Sequence, residues 1–376
     1  MKRVNFINIQ NSHVVPSPGY KVPPLRTGYE KMVADRMKPP YCYTADENGE
    51  VVSVDDEHIK VRFDSGEEMG FELGRYMGDV AGQVFAHDIT TPLRQGDRFT
   101  EGQAIVYNTG FFELDLLNPG DVILKQGMMC KVALFERSHT FEDSSMVSQR
   151  VAGELTTDRV ERRDIWVDFS QQVTDLIEQG QEVGPESILC QIQDPVGEDA
   201  DVEELDERTK EFLRLMGTKT PTAKHSGRVD KIDVFYSGDP EDMSESLREI
   251  AQRADKSRKQ RAQKAAKTYH SGAVSPEVRF DGEPIGMDTM VIRVYISEPM
   301  NAGVGDKAVI GHQMKTVISS VMTGRNETES GEPIDVGFSY ASIARRVVTS
   351  PEVMGTANTL LIKFSEMVAK RYFGEE

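Results

Sequence analysis

The sequence predicts a mainly β protein with some α, and three observations carry that class. Between residues 46 and 160, apolar and polar residues alternate in short runs bounded by turn residues: EVVSVDDEHIKVRFDSGEEMGFEL, QAIVYNT, DVILKQ and MMCKVALFE. Gly-Asp steps at 78–79, 96–97 and 120–121 fall between such runs, as the tight turns of a barrel or sandwich would. Further strand-like runs, MDTMVIRVYISEP, GVGDKAVIGHQMKTVISSVM and EPIDVGFSY, return after residue 286.

Residues 1–45 hold Pro16, Pro18, Pro23, Pro24, Pro39 and Pro40 with little periodicity, which reads as an extended arm with one short helix near Tyr29 to Met37. In the β-rich region, ENGE and DSGE read as hairpin turns. The stretch 157–290 is mixed: strand-like RRDIWVDFS, a short helical TDLIEQG, then ESILCQIQD and SGRVDKIDVFYSG. Between Asp194 and Glu207 lie eight acids and no base, a run that cannot pack as a core and belongs in a solvated loop. From about Pro240 to Lys267 no glycine interrupts a single predicted helix, acidic early and basic late, as the helix dipole favours. Arg253 to Lys267 carries seven bases with almost no apolar stripe, so that half either projects into solvent, the preferred reading, or touches nucleic acid. A helix around Ala357–Tyr372 closes the pattern.

The chain has 376 residues, 44 basic and 62 acidic, giving a formal net charge of −18. That balance argues against a simple nucleic-acid-binding protein, whose footprint is a basic excess. A hydrophobic fraction of 38% and a charged fraction of 28% belong to the ordinary soluble globular class, long enough for two or three compact units. No apolar run approaches a membrane span, and the first residues lack a leader pattern, so the expected location is the cell interior. Cys42, Cys130 and Cys190 form no ligand spacing, and the seven histidines are scattered, so neither a disulfide framework nor a zinc site is indicated. No phosphate-loop, dinucleotide, zincin or nucleophile-elbow motif occurs, and there is no internal repeat.

Three segments place charge inside strand-like sequence: FEDSS at 141–145, GDKAVIGHQMK at 305–315 and SIARR at 342–346. Singly, each reads as an ordinary exposed turn or strand end. Their order and neighbours resemble the C-terminal half of the β subunit of multisubunit DNA-directed RNA polymerases. The family segment VGDKMAGRHGNKGVISKI is matched by VGDKAVIGHQMKTVISSVM at 304–322, keeping Val304, Gly305, Asp306, Lys307, His312, Lys315, Val317, Ile318 and Ser319. SHTFEDSSMVSQRV at 138–151 resembles the family's NFEDS-LVSERV type, and PIDVGFSYASIARRV at 333–347 echoes its PVDIVLNPLGVPSRM type, with Arg345 over the family arginine. VPPLRTGYE at 22–30 and GEVVSVDDEHIKVRF at 49–63 are similar to further family segments in the same order.

The resemblance implies a double-psi β-barrel with additional barrel or sandwich strands, a reduced flap-like insertion and a C-terminal helix. Its implied layout is an extended arm at 1–45, a β-rich region at 46–156 holding the first part of the barrel, and a flap-like insertion at 157–290 with the charged helix near 240–267. The second part of the barrel then occupies 291–350 and a helical segment 351–376. It implies nucleotidyl transfer, a reaction helped mainly by positioning and charge neutralisation. Lys307 and Lys315 would lie against the RNA 3′ end and the reacting phosphates as compact charges, with His312 beside them and Arg345 holding the triphosphate with its fork of donors. Asp143, with Glu142, resembles the family's acidic pair near a second, nucleotide-borne Mg²⁺, acting through water.

The principal Mg²⁺ belongs in the family to a triple-aspartate loop on β′, and no such triplet occurs here. The implied partners are therefore a β′-like chain, a chain like the N-terminal half of β, the DNA template, the RNA transcript and nucleoside triphosphates. A split β subunit with a reduced flap looks like the polymerases of giant bacteriophages, working in the host cell or carried in the virion. Departures fall at His312-Gln313-Met314-Lys315-Thr316, where two family glycines are lost, at Thr140 in place of Asn, and at Ile343-Ala344 in place of Pro-Ser. The alternative is a β-like structural or virion-assembly protein that keeps the barrel without catalysis.

Overall fold

The computed structural model describes residues 15–37, 39, 41–80, 83–194, 217–265, 268–311, 314–346 and 349–374. Strands dominate and helices are few. The chain divides into two compact units, one from Met1–Gly49, His87–Thr157 and Met300–Glu376, the other from Glu50–Ala86 and Asp158–Pro299.

The first unit is built around a mixed five-stranded sheet in the order Val132–Leu134, Val336–Phe338, Ser144–Ser148, Met314–Met322, Lys307–Ile310. Val336–Phe338 runs parallel to Val132–Leu134 and antiparallel to Ser144–Ser148, so it lies between two strands that follow one another in the chain. Ser144–Ser148 runs parallel to Met314–Met322, which turns back antiparallel onto Lys307–Ile310. The core beneath uses alternate residues, Val147, Ile318 and Val336 with Val151, while Met314 and Phe338 pack on Ile343. Elsewhere in this unit Cys42–Thr44 pairs antiparallel with Ala104–Asn108. Phe112–Leu114 pairs with Val122–Leu124, and the helix Tyr29–Ala34 seals that corner with Val33 and Ala34.

The second unit carries a small meander, in which Gly49–Val54 and Glu68–Glu72 flank His58–Phe63. The DSGE sequence makes the expected hairpin between His58–Phe63 and Glu68–Glu72, with Gly66 at φ +90°, a conformation that glycine reaches without strain. Long strands Thr156–Asp168, Thr289–Asn301 and Gly227–Ser237 lie side by side, Thr289–Asn301 in the middle. That central strand buries Met290, Ile292, Val294 and Ile296 in one core and Val291 in another, so both of its faces are covered, while Arg293 between them pairs with Asp164 at 2.6 Å. Helix Glu245–Lys264 packs Leu247 and Ala251 on this core. Burying a leucine contributes about 2 kcal/mol.

Several local expectations are corrected. TDLIEQG forms no helix: Asp175 takes φ +51°, and Ile177 donates its N–H to Leu189 O at 2.9 Å. A long-range backbone bond thus replaces a helix too short to nucleate. ENGE does not close a hairpin, since Cys42–Thr44 and Gly49–Val54 pair with other strands. Gly78-Asp79 lies inside the strand Gly74–Val80, because Gly74, at φ +83°, takes the backbone reversal four residues earlier. The charged helix begins at Glu245 rather than near Pro240, since Pro240–Asp242 forms a separate 3₁₀ turn capped by the Asp239 carboxylate.

The basic half of that helix does not simply project. Arg258 donates to Val234 O at 2.6 Å and lies over the Phe235 ring, and Lys264 meets Asp55 at 3.2 Å. Of the acidic run 194–207, all but Asp194 lies outside the described residues.

Candidate functional site

Lys307 and Lys315 sit on the two arms of one antiparallel hairpin, Lys307 opposite Val317 and Lys315 opposite Val309. Side chains alternate along a strand, so Lys307, Val309, Lys315 and Val317 share a face, and all four are exposed. The lysines occupy diagonal positions, which places their Cβ atoms roughly 7–8 Å apart. Met314, Thr316 and Ile318 point to the opposite face and are buried, which fixes the lysine face outward.

The turn before the hairpin has a local reason for its Gly-Asp spelling. Gly305 adopts φ +98° and donates to Ile318 O, while the Asp306 carboxylate accepts from Gly303 N at 2.8 Å and closes the turn. Thr316, where the resemblance expects glycine, is a buried strand residue opposite Ala308 whose hydroxyl finds no hydrogen-bond partner, and the strand runs through it without a turn. His312 and Gln313 lie outside the described residues.

The acidic turn joins the hairpin directly. Asp143 O accepts the N–H of Val317 at 2.9 Å, and Ser144 pairs with Val317, so Asp143 is adjacent to the lysine strand. Glu142 and Asp143 are both exposed, and Glu142 holds φ +52°, an uncommon conformation for a side chain of its size. Thr140 is fully buried and donates its hydroxyl to Phe135 O at 2.9 Å while accepting from Arg137 N, so it pins this loop from inside. Ser319 donates to Ser145 O at 3.0 Å, a second tie between the acidic turn and the lysine strand.

Arg345 lies exposed on helix Tyr340–Arg346, which follows the strand Val336–Phe338. Two contacts bring that helix to the same sheet. Ser342 donates its hydroxyl to Glu142 O, and Ile343 packs on Met314, the residue before Lys315. Asp143, Glu142, Lys307, Lys315 and Arg345 thus belong to one contiguous part of the sheet, joined by backbone and core contacts. The exposed cationic heads among them, those of Lys307, Lys315 and Arg345, suit an anionic ligand, with the Glu142 and Asp143 carboxylates beside them.

Glu136 is a site residue that sequence reasoning missed. Its carboxylate accepts from Ala341 N at 2.8 Å and Ser339 Oγ at 2.9 Å, and so holds the start of the arginine helix. The Ala341 N–H, then the Ser339 hydroxyl, and more weakly the Arg345 charge hold this carboxyl below its usual range. The only sequence signal was an acid at the end of a strand-like run. Arg150 and Asp335 were missed too: Asp335, buried, accepts from Lys131 N at 2.8 Å and from Arg150 at 2.7 Å, linking the 138–151 and 333–347 segments.

Among the described residues no group of three or more histidine, cysteine, aspartate or glutamate side chains could hold a metal ion. The adjacent exposed carboxylates of Glu142 and Asp143 fit contact with a cation through its waters rather than a full protein cage. No helix among the described residues is long and apolar enough to cross a membrane.

No protein-family model matches the chain. It is 24% identical over 346 residues to the DNA-directed RNA polymerase subunit beta of Thermus aquaticus, covering 89% of this chain and 28% of that one. It is 26% identical over 349 residues to the subunit of the same name in Streptococcus mutans, covering 89% and 26%. Against that of Synechococcus elongatus it is 24% identical over 312 residues, covering 81% and 26%. The chain therefore spans about a quarter of the length of the curated relatives it matches, and it is similar to one continuous part of RNA polymerase β subunits.

Proposed function

We propose that this chain is the β C-terminal part of a multisubunit DNA-directed RNA polymerase, of the split type encoded by giant bacteriophages, acting in the host cell. The observation that carries the proposal is the shared exposed face of Lys307 and Lys315, with Asp143 hydrogen-bonded to the same strand. Similarity to β subunits over most of the chain supports the same reading. The strand Val336–Phe338 lying between two chain-adjacent, mutually antiparallel strands supports assignment of the sheet to a double-psi barrel. On that assignment the barrel is shared between 46–156 and 291–350, with 157–290 as a flap-like insertion, 1–45 as an arm and 351–376 as a helical tail.

In this reading the RNA 3′-hydroxyl oxygen forms the new bond to the α-phosphorus of a nucleoside triphosphate as the bond to the pyrophosphate oxygen breaks, pyrophosphate leaving with that electron pair and the hydroxyl proton passing to water. Lys307 and Lys315 hold the 3′ end and the reacting phosphates and neutralise their charge, His312 contributes to substrate binding, and Arg345 grips the triphosphate. Glu136 positions the helix that carries Arg345. Bound Mg²⁺ supplies charge neutralisation at the phosphates. Glu142 and Asp143 would meet the nucleotide-borne ion through water, and a β′-like partner would hold the principal one. Partners in the assembly are that β′-like chain, a chain like the N-terminal half of β, DNA, RNA and nucleoside triphosphates.

The test is primer extension by the complex reconstituted with its β′-like and N-terminal-β-like chains. Lys307→Ala and Lys315→Ala should each lower extension by about 10²-fold or more, the scale of one lost transition-state contact. Assembly should be unaffected, because exposed positions of this kind change stability by no more than about 0.5 kcal/mol. Wild-type rates in both complexes would exclude the catalytic assignment and leave a β-like structural role.

A further inference from the structure

Helix Ser350–Phe373 leaves an apolar stripe in water. Val353, Leu360, Phe364 and Met367 recur at steps of seven, four and three along one side, with Leu361 and Val368 beside them. Exposures are 66% at Leu360, 61% at Phe364 and 63% at Met367. At roughly 150–200 Å² per large side chain, these six leave on the order of 600 Å² of apolar surface uncovered, at the upper limit for an ordinary monomer.

Among the described residues, the helix is anchored through its first half. Asn358 is buried and its Oδ1 accepts from Leu25 N at 2.9 Å, and Ile362 is half-buried, but every residue from Lys363 to Gly374 is exposed. A segment of three turns with no packing is marginal as an isolated helix, so its stability calls for a partner along the stripe.

Charge identifies the kind of partner. In heptad register Ala357, Leu360, Phe364, Met367 and Arg371 form the seam, Leu361 and Val368 flank it on one side, and Lys363 and Lys370 flank it on the other. Lys363 also meets Glu366 at 3.1 Å, an exposed pair of small weight. A second copy laid antiparallel would set Lys363 and Lys370 against the same lysines. A parallel copy would set Arg371 against Arg371 inside the seam. Both arrangements oppose like charges.

We infer that this face docks an amphipathic helix of a different polypeptide, one whose apolar stripe is flanked by acids facing Lys363, Lys370 and Arg371. The inference does not use the proposed catalytic role, and a chain inactive in extension would still need this face covered.

The test titrates the full-length chain into two labelled synthetic helices with the same leucine and isoleucine stripe, one flanked by glutamates and one by lysines, read by fluorescence anisotropy. The glutamate-flanked peptide should bind at least tenfold more tightly. Phe364→Asp combined with Met367→Asp should abolish binding, with the fold checked by circular dichroism. Lys363→Glu with Lys370→Glu should reverse the preference, a result that a misfolded variant cannot produce. Equal affinity for both peptides, or none for either, would overturn the inference. So would a dimer in sedimentation velocity that the Asp variant dissolves, or binding to anionic phosphatidylserine vesicles that competes with the peptide.

Discussion

Asp115 shows how a single side chain fastens the Arg26 segment, which the sequence reads as an arm, to the end of the strand Phe112–Leu114. Burial alone would push its carboxyl up, but Arg26 at 2.7 Å, the Leu117 N–H and the Asn118 amide outweigh burial and bring it to about 2. Because the folded value lies below the ordinary carboxylate value near 4, its stabilisation is complete above about pH 4 and is lost as pH falls toward 2. Arg26→Ala removes the main counter-charge, so the Asp115 carboxyl should titrate higher and the acid-unfolding midpoint should move to higher pH. Carboxyl NMR titration with circular dichroism checks both, and an unmoved midpoint would show that the arm is not held here. Thr140 and Ile343 make a related point at the site. Each departs from the residue that the sequence resemblance expects, yet one is pinned by hydrogen bonds inside its loop and the other fills the core beneath the lysine strand.

Among the elements, helix Glu245–Lys264 separates charges that the sequence groups together. Arg258 satisfies Val234 O, pairs with Asp255 at 3.4 Å and covers Phe235, whereas Lys256 and Lys259 are exposed. Arg258→Ala should therefore destabilise the protein by about 1–2 kcal/mol, since a buried carbonyl loses its donor. Lys256→Gln with Lys259→Gln should stay within about 0.5 kcal/mol. Urea midpoints compare the two, and equal shifts would refute the division into anchoring and solvated bases. Only the exposed pair is suitable for asking whether this helix meets nucleic acid, where loss of a phosphate contact would flatten the salt dependence of binding.

For the whole molecule, the contrast is between a unit assembled from distant segments and a core drawn from nearby ones. The five-stranded sheet requires 132–148 to find 307–338, a closure across the entire second stretch of chain. One large core, by contrast, is complete within 165–296, from Ile165 to Ile296. Residues 158–299 expressed alone should fold cooperatively, with a single sharp denaturant transition and dispersed amide spectra. A broad transition with collapsed dispersion would show that this core depends on the rest of the chain. The net charge of −18 is likewise unevenly placed, with eight acids in 194–207, while the candidate site presents exposed lysines and an arginine. A whole-chain sum therefore says little about what one face of one sheet can bind.

The mainly β class, the DSGE hairpin and the strand-like run MDTMVIRVYISEP were all legible in the sequence. Each depends on alternation or turn chemistry acting over a few residues. The failures were local in a different sense. TDLIEQG carries a helical pattern, but Ile177 is drawn into a bond with Leu189, and no spacing rule reports a partner so chosen. Tertiary structure alone decided that Val336–Phe338 enters between Val132–Leu134 and Ser144–Ser148, that Asp143 borders the lysine strand, and that Glu136 and Ser342 seat the arginine helix. Sequence periodicity states which face of a strand is apolar, whereas strand order follows from which buried faces and backbone groups can be satisfied together across long stretches of chain.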